Sequence, residues 1–381
     1  MTPTQGRRAI VIAGGGTAGH ILPGLAIAAA LVEAGRDRTD IAFVGSARGP
    51  EATVVPDAGF EVVLLPGRGI VRKLSGQNFG AVWGLIRAQM KMLAWIGRHR
   101  PAVVVCLGGY ASVAASVAAV AWRVPVVVTE QNARAGAANR LIGRFARVCA
   151  VPVPGTDLPR AEVTGNPVRP EILAAMAADD WGRTARRRAA CAVLGIEPER
   201  KVIAVFAGSL GARRINEAVV GLAEAWAGRS DVWIRHVIGA RDWESLRRPD
   251  DRPGGLRYDA VRYEDHMDQL LAAADVVVCR SGGTTVAELA AVGVPALLVP
   301  LPIAPRDHQR ANAAELVAAG GAILIDDADC TATRLATELG RILEDDDARA
   351  RMTAAAASVG RPEAAVAVAD LVIRAAAGER W

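Results

Sequence analysis

Short apolar runs rich in β-branched residues alternate along the chain with longer Ala- and Leu-rich stretches of helical period. RAIVIA (8–13), IAFVG (41–45), EVVLLP (61–66), AVVVCL (102–107), VPVVVT (124–129), RVCAV (147–151) and AEVTG (161–165) predict buried parallel strands. Such strands are apolar throughout because crossover helices cover both faces of their sheet. GNPVRP (165–170) holds two prolines and closes this series, and the stretch 171–199 is polar and helical. A second series runs through KVIAVFAGS (201–209), VWIRHVIG (232–239), GLRYDAVRY (255–263), ADVVVCRSG (274–282), VPALLVPLP (294–302) and GAILID (321–326). The chain therefore divides near residue 168 into two α/β domains, 1–168 and 169–362. Each is a doubly wound parallel sheet that opens with a strand running into a glycine loop. The final helical stretch, 363–381, has no strand after it and is assigned to the first domain.

Composition narrows the class. Of 381 residues 51% are hydrophobic and only 4% aromatic, so Ala, Val and Leu must fill the cores. The net charge of +5 is carried almost entirely by Arg. This balance suits either a genome rich in Arg codons or an affinity for anions, and does not choose between them. Five scattered cysteines form no C-x-x-C, which argues against a disulfide framework and a zinc site. No run reaches the roughly 18 apolar residues of a membrane span. The apolar run after Arg7 and Arg8 is too short for a signal peptide. The expectation is a chain on the cytoplasmic side, soluble or peripheral.

The first loop, VIAGGGTAGHILP (11–23), contains G-x-G-x-x-G at Gly14, Gly16 and Gly19. A dinucleotide site also needs an acid at the end of the second strand, to hold ribose hydroxyls. Here that strand ends in Gly45–Ser46, and the next acid is Glu51. The loop keeps the physics of an anion cradle, with glycines in front of a helix N-terminus. CLGGYAS (106–112) and GSLGARR (208–214) repeat the arrangement, which suggests a site for more than one phosphate.

In the second domain, RSGGTTVAE (280–288) places a glycine turn before a helix, with Glu288 one turn after Thr284. Glu288 suits a ribose diol as well as a helix N-terminus. PRDHQRANA (305–313) offers Asp307, His308, Gln309 and Asn312 to a sugar's hydroxyls, or Asp307 as an ordinary helix cap.

The ordered series GGGTAGHILPGLA, CLGGYAS, TEQN, GNPVR, GSLGAR, RSGGTTVAE and DHQRANA closely resembles the MurG family over nearly the whole chain. That family transfers GlcNAc from UDP-GlcNAc to lipid-linked muramyl-pentapeptide in peptidoglycan synthesis. The resemblance implies the GT-B fold, two Rossmann-like domains facing across a cleft, and inverting chemistry with no metal or cofactor. It places Thr17, Ala18 and Gly19 beside the donor and His20 toward the reaction centre. Asn132 would hold the GlcNAc, Arg169 and Ser209 the donor, with Ser209 at its diphosphate. Glu264 lies where the family reads uracil through the main chain. Gly283, Thr284, Thr285, Val286, Ala287 and Glu288 would hold diphosphate and ribose, and Gln309 the sugar's hydroxyls. Gly15, Gly108 and Gly109 would receive the acceptor's diphosphate. Three departures stand out: Ala18 for a common glycine, Thr129 for a His, and Leu210 for a Gln. Ala18 matters most, because a Cβ limits the backbone.

His20 is the first candidate for the base that takes the acceptor's proton, with Asp307 and Glu130 behind it. The alternative is that His20 only positions phosphate or caps its helix. Asp345–Asp347 reads as a solvated face. Phe79, Val82, Trp83, Ile86 and Met90 form one helical stripe, which by default is core. With Arg72, Lys73, Trp122 and Arg140 it could equally form an apolar patch with a basic rim, suited to anionic lipid. The resemblance favours the second reading. It implies peripheral attachment at the cytoplasmic face of the cell membrane, with proteins of cell-wall synthesis or division as partners and no nucleic acid. The competing functions are a GT-B transferase for a soluble acceptor, a sugar-nucleotide epimerase, and an oxidoreductase or plain nucleotide-binding module.

Overall fold

The computed structural model describes residues 10–16, 18–66, 77–176, 182–208, 212–249 and 254–379. Two compact units emerge: Met1–Arg169 with Pro362–Trp381, and Pro170–Arg361.

The strands of the first unit are β1 (Ile10–Gly14), β2 (Ile41–Ser46), β3 (Glu61–Leu65), β4 (Val103–Gly108), β5 (Val126–Thr129), β6 (Val148–Val151) and β7 (Ala161–Val163). Those of the second are β8 (Lys201–Phe206), β9 (Val232–Val237), β10 (Arg257–Val261), β11 (Val276–Cys279), β12 (Ala296–Leu298) and β13 (Ala322–Leu324). Their orders are β3-β2-β1-β4-β5-β6-β7 and β10-β9-β8-β11-β12-β13, and every pairing is parallel. The central strands are buried on both faces, as expected. β3, β7 and β10 are not: β7 is exposed throughout, β10 is half-buried, and β3 is buried only at Leu65. These are edge strands, as is β13 with only Ala322 buried, and neighbouring elements cover less of the chain there.

The helices are α1 (Ala18–Glu33), α2 (Glu51–Asp57), α3 (Gln77–His99), α4 (Gly109–Ala121), α5 (Ala137–Gly143), α6 (Pro170–Met176) and α7 (Gly182–Leu194). They continue with α8 (Arg213–Ala225), α9 (Met267–Ala273), α10 (Gly283–Val292), α11 (His308–Ala318), α12 (Ala332–Glu344), α13 (Asp346–Ser358) and α14 (Ala364–Ala376). Alternate residues of the first sheet feed opposite cores. Ile10, Ile12, Val103, Val105 and Leu107 pack with α1, Val55 of α2 and the apolar side of α14. Val11, Ala13, Val104 and Cys106 pack with α3, α4 and α5. In the second unit, Ile203, Val205, Val276 and Val278 pack against α8 and α12.

Candidate active site

In each unit the strand order reverses direction at one point, between β1 and β4 and between β8 and β11. A crevice opens there at the carboxyl ends of the strands, the usual ligand position in such sheets. In the first unit the glycine loops after β1 and β4 meet at this point. The β1–β4 register slips between Ala13 and Gly14, so that Gly14 pairs with Gly108. Gly109 takes φ 83°, and a Cβ on it would lie 2.5 Å from the carbonyl oxygen of Gly15. Only glycine lets the two loops come this close. Ala18, the departure from the family's glycine, is the first residue of α1.

His20, on the first turn of α1, is half-buried. Its Nε2 lies 3.1 Å from where a Cβ on Gly108 would be, so that glycine also makes room for the imidazole. Burial pushes the His20 pKa below its ordinary value, while the carboxylates of Glu130 and Glu51 pull it upward. The balance favours the neutral imidazole, the form a general base requires.

Glu130 follows β5 and is 2% exposed. Its Oε1 accepts from the backbone N–H of Gln131 (3.0 Å) and Asn132 (2.9 Å) and from Asn132 Nδ2 (3.1 Å). Its Oε2 accepts from the Gly136 N–H (2.9 Å) and Asn139 Nδ2 (2.9 Å). With both oxygens engaged by donors, Glu130 is suited to holding the loop and not to taking a substrate proton. Asn139, which the sequence did not single out, also donates to the Thr129 carbonyl at 3.2 Å and ties α5 to β5. A hydrogen-bonded chain thus runs from Asn132 through Glu130 to Asn139.

The acid missing from the end of β2 is present after all. Five residues beyond the strand, Glu51 opens α2 with its side chain fully buried. Its Oε1 accepts from the N–H of Gly16 at 2.8 Å and of Ser46 at 3.1 Å. The carboxylate reaches the glycine loop through a turn, which a count of residues past the strand cannot reveal.

In the second unit β11 leads through Ser281 to Gly282, the N-cap of α10, which has no side chain of its own to bond the helix's first N–H groups. A glycine turn running into a helix N-terminus is a position suited to anions. Gly283, Thr284, Thr285, Val286 and Ala287 form the start of that helix, and Glu288 follows one turn on, 5% exposed. Ser281 Oγ is buried without a hydrogen-bond partner, and Asn312 Nδ2 donates to the Ser281 carbonyl at 3.1 Å. Gln309 Oε1 accepts from the Leu301 N–H at 2.9 Å. Arg306 and Asp307 take left-handed backbone, φ 58° and 51°. The side chain of Asp307 makes no capping bond to α11, so the ordinary helix-cap reading is not realised. Glu264 Oε1 accepts from the His266 N–H at 3.0 Å, and its Oε2 from Arg235 Nε at 2.9 Å. Its carboxylate is therefore spent on structure.

Arg169 ends the first stretch of the first unit. Thr17, Ser209 and Leu210 lie outside the described residues, as do Arg72 and Lys73 and the side chains of Phe79 and Val82. The acidic run 345–347 begins with the cap of α13: Asp345 Oδ1 accepts from the Ala348 N–H at 2.8 Å, and Asp346 pairs with Lys201 at 3.0 Å. Among the described residues no cluster of His, Cys, Asp and Glu could hold a metal ion.

The stripe on α3 is not core where it can be described. Trp83 (63%), Ile86 (48%) and Met90 (62%) are exposed, while Ala88, Met92 and Ile96 turn inward. Arg87 and Lys91 flank them, and on the same side of the sheet Val117, Leu141 and Phe145 are also exposed, beside Arg140 and Arg144. No helix among the described residues is long and apolar enough to cross a membrane.

Residues 10–151 match the glycosyltransferase family 28 N-terminal domain and residues 202–368 its C-terminal domain. The chain is 41% identical over 371 residues to the UDP-N-acetylglucosamine–N-acetylmuramyl-(pentapeptide) pyrophosphoryl-undecaprenol N-acetylglucosamine transferase of Mycolicibacterium vanbaalenii, covering 96% of this chain and 90% of the relative. It is 40% identical to the protein of the same name from Mycobacterium leprae, covering 99% and 95%. The solved structure of Acinetobacter baumannii MurG superposes with TM-score 0.72 at 25% identity, covering 97% of this chain and 100% of that one. With two parallel α/β units of this order and both halves matched, the chain belongs to the MurG family within glycosyltransferase family 28.

Proposed function

We propose that this chain transfers GlcNAc from UDP-GlcNAc to the C4 hydroxyl of undecaprenyl-diphosphate-linked muramyl-pentapeptide, with inversion at C1, converting lipid I to lipid II in peptidoglycan synthesis. The observation that carries this reading is identity of about two residues in five, over nearly the full length, with transferases named for that reaction. The C4 oxygen of the muramyl sugar attacks C1 of GlcNAc, the bond from C1 to the UDP oxygen breaks, and His20 takes the hydroxyl proton. Charge developing on UDP is stabilised by the N-terminus of α10 and by Arg169, without a metal.

The second unit holds the donor. Gly283 to Glu288 take diphosphate and ribose, the main chain at Glu264 takes uracil, and Gln309 takes the sugar's hydroxyls. Ser209, Thr17, Ala18, Gly19 and Asn132 complete the donor contacts in this assignment. The first unit serves the acceptor, whose diphosphate lies at Gly108, Gly109 and the Gly15 loop. The glycine turn at the start of α10 and the meeting of two glycine loops support these roles. The decisive experiment is transfer of labelled GlcNAc to a lipid-linked muramyl acceptor. Transfer to soluble acceptors alone would replace this function with that of a soluble-acceptor transferase. A thermal shift with NADH and none with UDP-GlcNAc would remove transferase activity altogether.

The acceptor's lipid stays in the bilayer, so the enzyme works peripherally at the cytoplasmic face of the membrane, alongside proteins of cell-wall synthesis and division. The apolar residues of α3 with their Arg and Lys neighbours support contact with anionic lipid. Changing Trp83, Ile86 and Met90 together to Ser is expected to cut sedimentation with phosphatidylglycerol vesicles at least about tenfold, since three buried apolar side chains are worth several kcal/mol. GlcNAc transfer to a short-chain, water-soluble analogue of the acceptor should survive. Unchanged sedimentation would move the membrane contact elsewhere.

A further inference from the structure

The glycine loop after β1 has the form of a phosphate cradle, yet the protein fills part of it with its own anion. Glu51 Oε1 bridges the N–H of Gly16, inside the loop, and of Ser46, at the end of β2. The carboxylate is fully buried, and Oε2 has no hydrogen-bond partner. Three glycines make room for it. A Cβ on Gly15 would sit 1.7 Å from Oε1, one on Gly49 1.9 Å from Oε2, and one on Gly45 2.8 Å from the Glu51 Cβ. Burying a carboxylate with one oxygen unsatisfied is costly. Its position across the loop accounts for that cost.

We infer that Glu51 is a positioning residue for the transfer reaction: as a built-in anion it holds the first glycine loop in shape, and so fixes the place and the charge state of His20 four residues beyond Gly16. The inference rests on the reading of His20 as the base. The charged groups that act on the imidazole are Glu130 after β5 and Glu51 from α2; the Cys106 thiol of β4 adjoins Glu130, and the Tyr110 phenol of α4 adjoins Glu51 and Arg48. Burial raises the pKa of both Cys106 and Tyr110, which keeps them neutral. Glu130 and Glu51 therefore supply the charge felt by His20. Glu130 is committed to the β5–α5 loop, and Glu51 is hydrogen-bonded to Gly16 in the loop that leads into His20.

Two substitutions separate reach from charge. Glu51→Asp keeps the charge but is one methylene short of Gly16. Glu51→Gln keeps an oxygen for both N–H groups but removes the charge. Glu51→Asp is expected to lower kcat on the order of tenfold, the scale of a small misplacement of a catalytic group, with the KM for UDP-GlcNAc within about twofold. Glu51→Gln is expected to cost less in kcat, about threefold, and to shift the acid limb of the kcat–pH profile downward. In an NMR titration, the imidazole signal that disappears in His20→Ala identifies His20. Its midpoint should fall about half a pH unit in Glu51→Gln, the size of one nearby carboxylate's field. An unmoved midpoint, or wild-type kcat in Glu51→Asp, overturns the inference. If Glu51→Asp does not fold, the titration of Glu51→Gln decides alone. A shifted midpoint together with a fully active His20→Ala would uphold the coupling and remove His20 as the base.

Discussion

Replacing His20 by alanine is expected to lower kcat about 100- to 10,000-fold, the range for loss of a general base. The KM for UDP-GlcNAc should change little, because the donor's diphosphate, ribose and uracil contacts are assigned to the other unit. Thermal stability should also hold, since the side chain is only half-buried and truncation opens toward the crevice. The pH profile gives a second check. Burial holds the imidazole pKa below its usual value. The neutral base therefore persists as pH falls below about 6.5, the ordinary midpoint. The wild-type acid limb should lie below that value, and the mutant's residual activity should lose this limb. A fall of less than about tenfold would show that His20 merely positions phosphate or caps α1.

Replacing Glu130 by alanine should act on stability first. Five N–H groups, three of them backbone, point at a carboxylate that is 2% exposed. Removing it strands those donors in a poorly hydrated site. Losing one partner of a buried charged network costs about 3–5 kcal/mol. For a unit of this size that is roughly a 10 °C drop in its melting transition, readable by calorimetry. Glu130→Gln keeps one acceptor but turns an NH2 toward donors, so it should rescue only part of the loss. The KM for UDP-GlcNAc should rise as Asn132, assigned to the GlcNAc, loses its anchor. A melting transition within about 2 °C of wild type, under 1 kcal/mol at this size, would mean that water satisfies these donors and that Glu130 is dispensable to the fold.

The strands and their grouping were legible because parallel strands buried on both faces are continuous apolar runs. The position of a strand in its sheet was not, since the run itself carries no mark of its neighbours. β7 and β10 read as buried and are edges. The α3 stripe shows the same limit: periodicity separates two faces but does not say which meets the core. Ala88, Met92 and Ile96 hold that face, and Trp83, Ile86 and Met90 lie outside it. Glu51 was passed over as too far from β2. The signal was Gly45 and Gly49 on either side of the turn, with Gly15 opposite, three positions where any side chain would strike that of Glu51. The hydrogen bonds that occupy Glu130 had no local sign beyond the proximity of Asn132 and Asn139.

The helix α14 belongs to the first unit, where Ala365, Val368, Ala369, Leu371, Val372 and Ala375 complete the core beside α1. The second unit is thus an insertion within the first, joined to it by two chain crossings. On the ribosome, residues 170–361 emerge as a continuous stretch and can fold while still attached. The first unit has all its strands by then, but lacks one wall of its core until residues 364–376 emerge. The usual vectorial order is therefore reversed: the half made first is the half finished last, and it waits with an open apolar flank on α1, β4, β5 and β6.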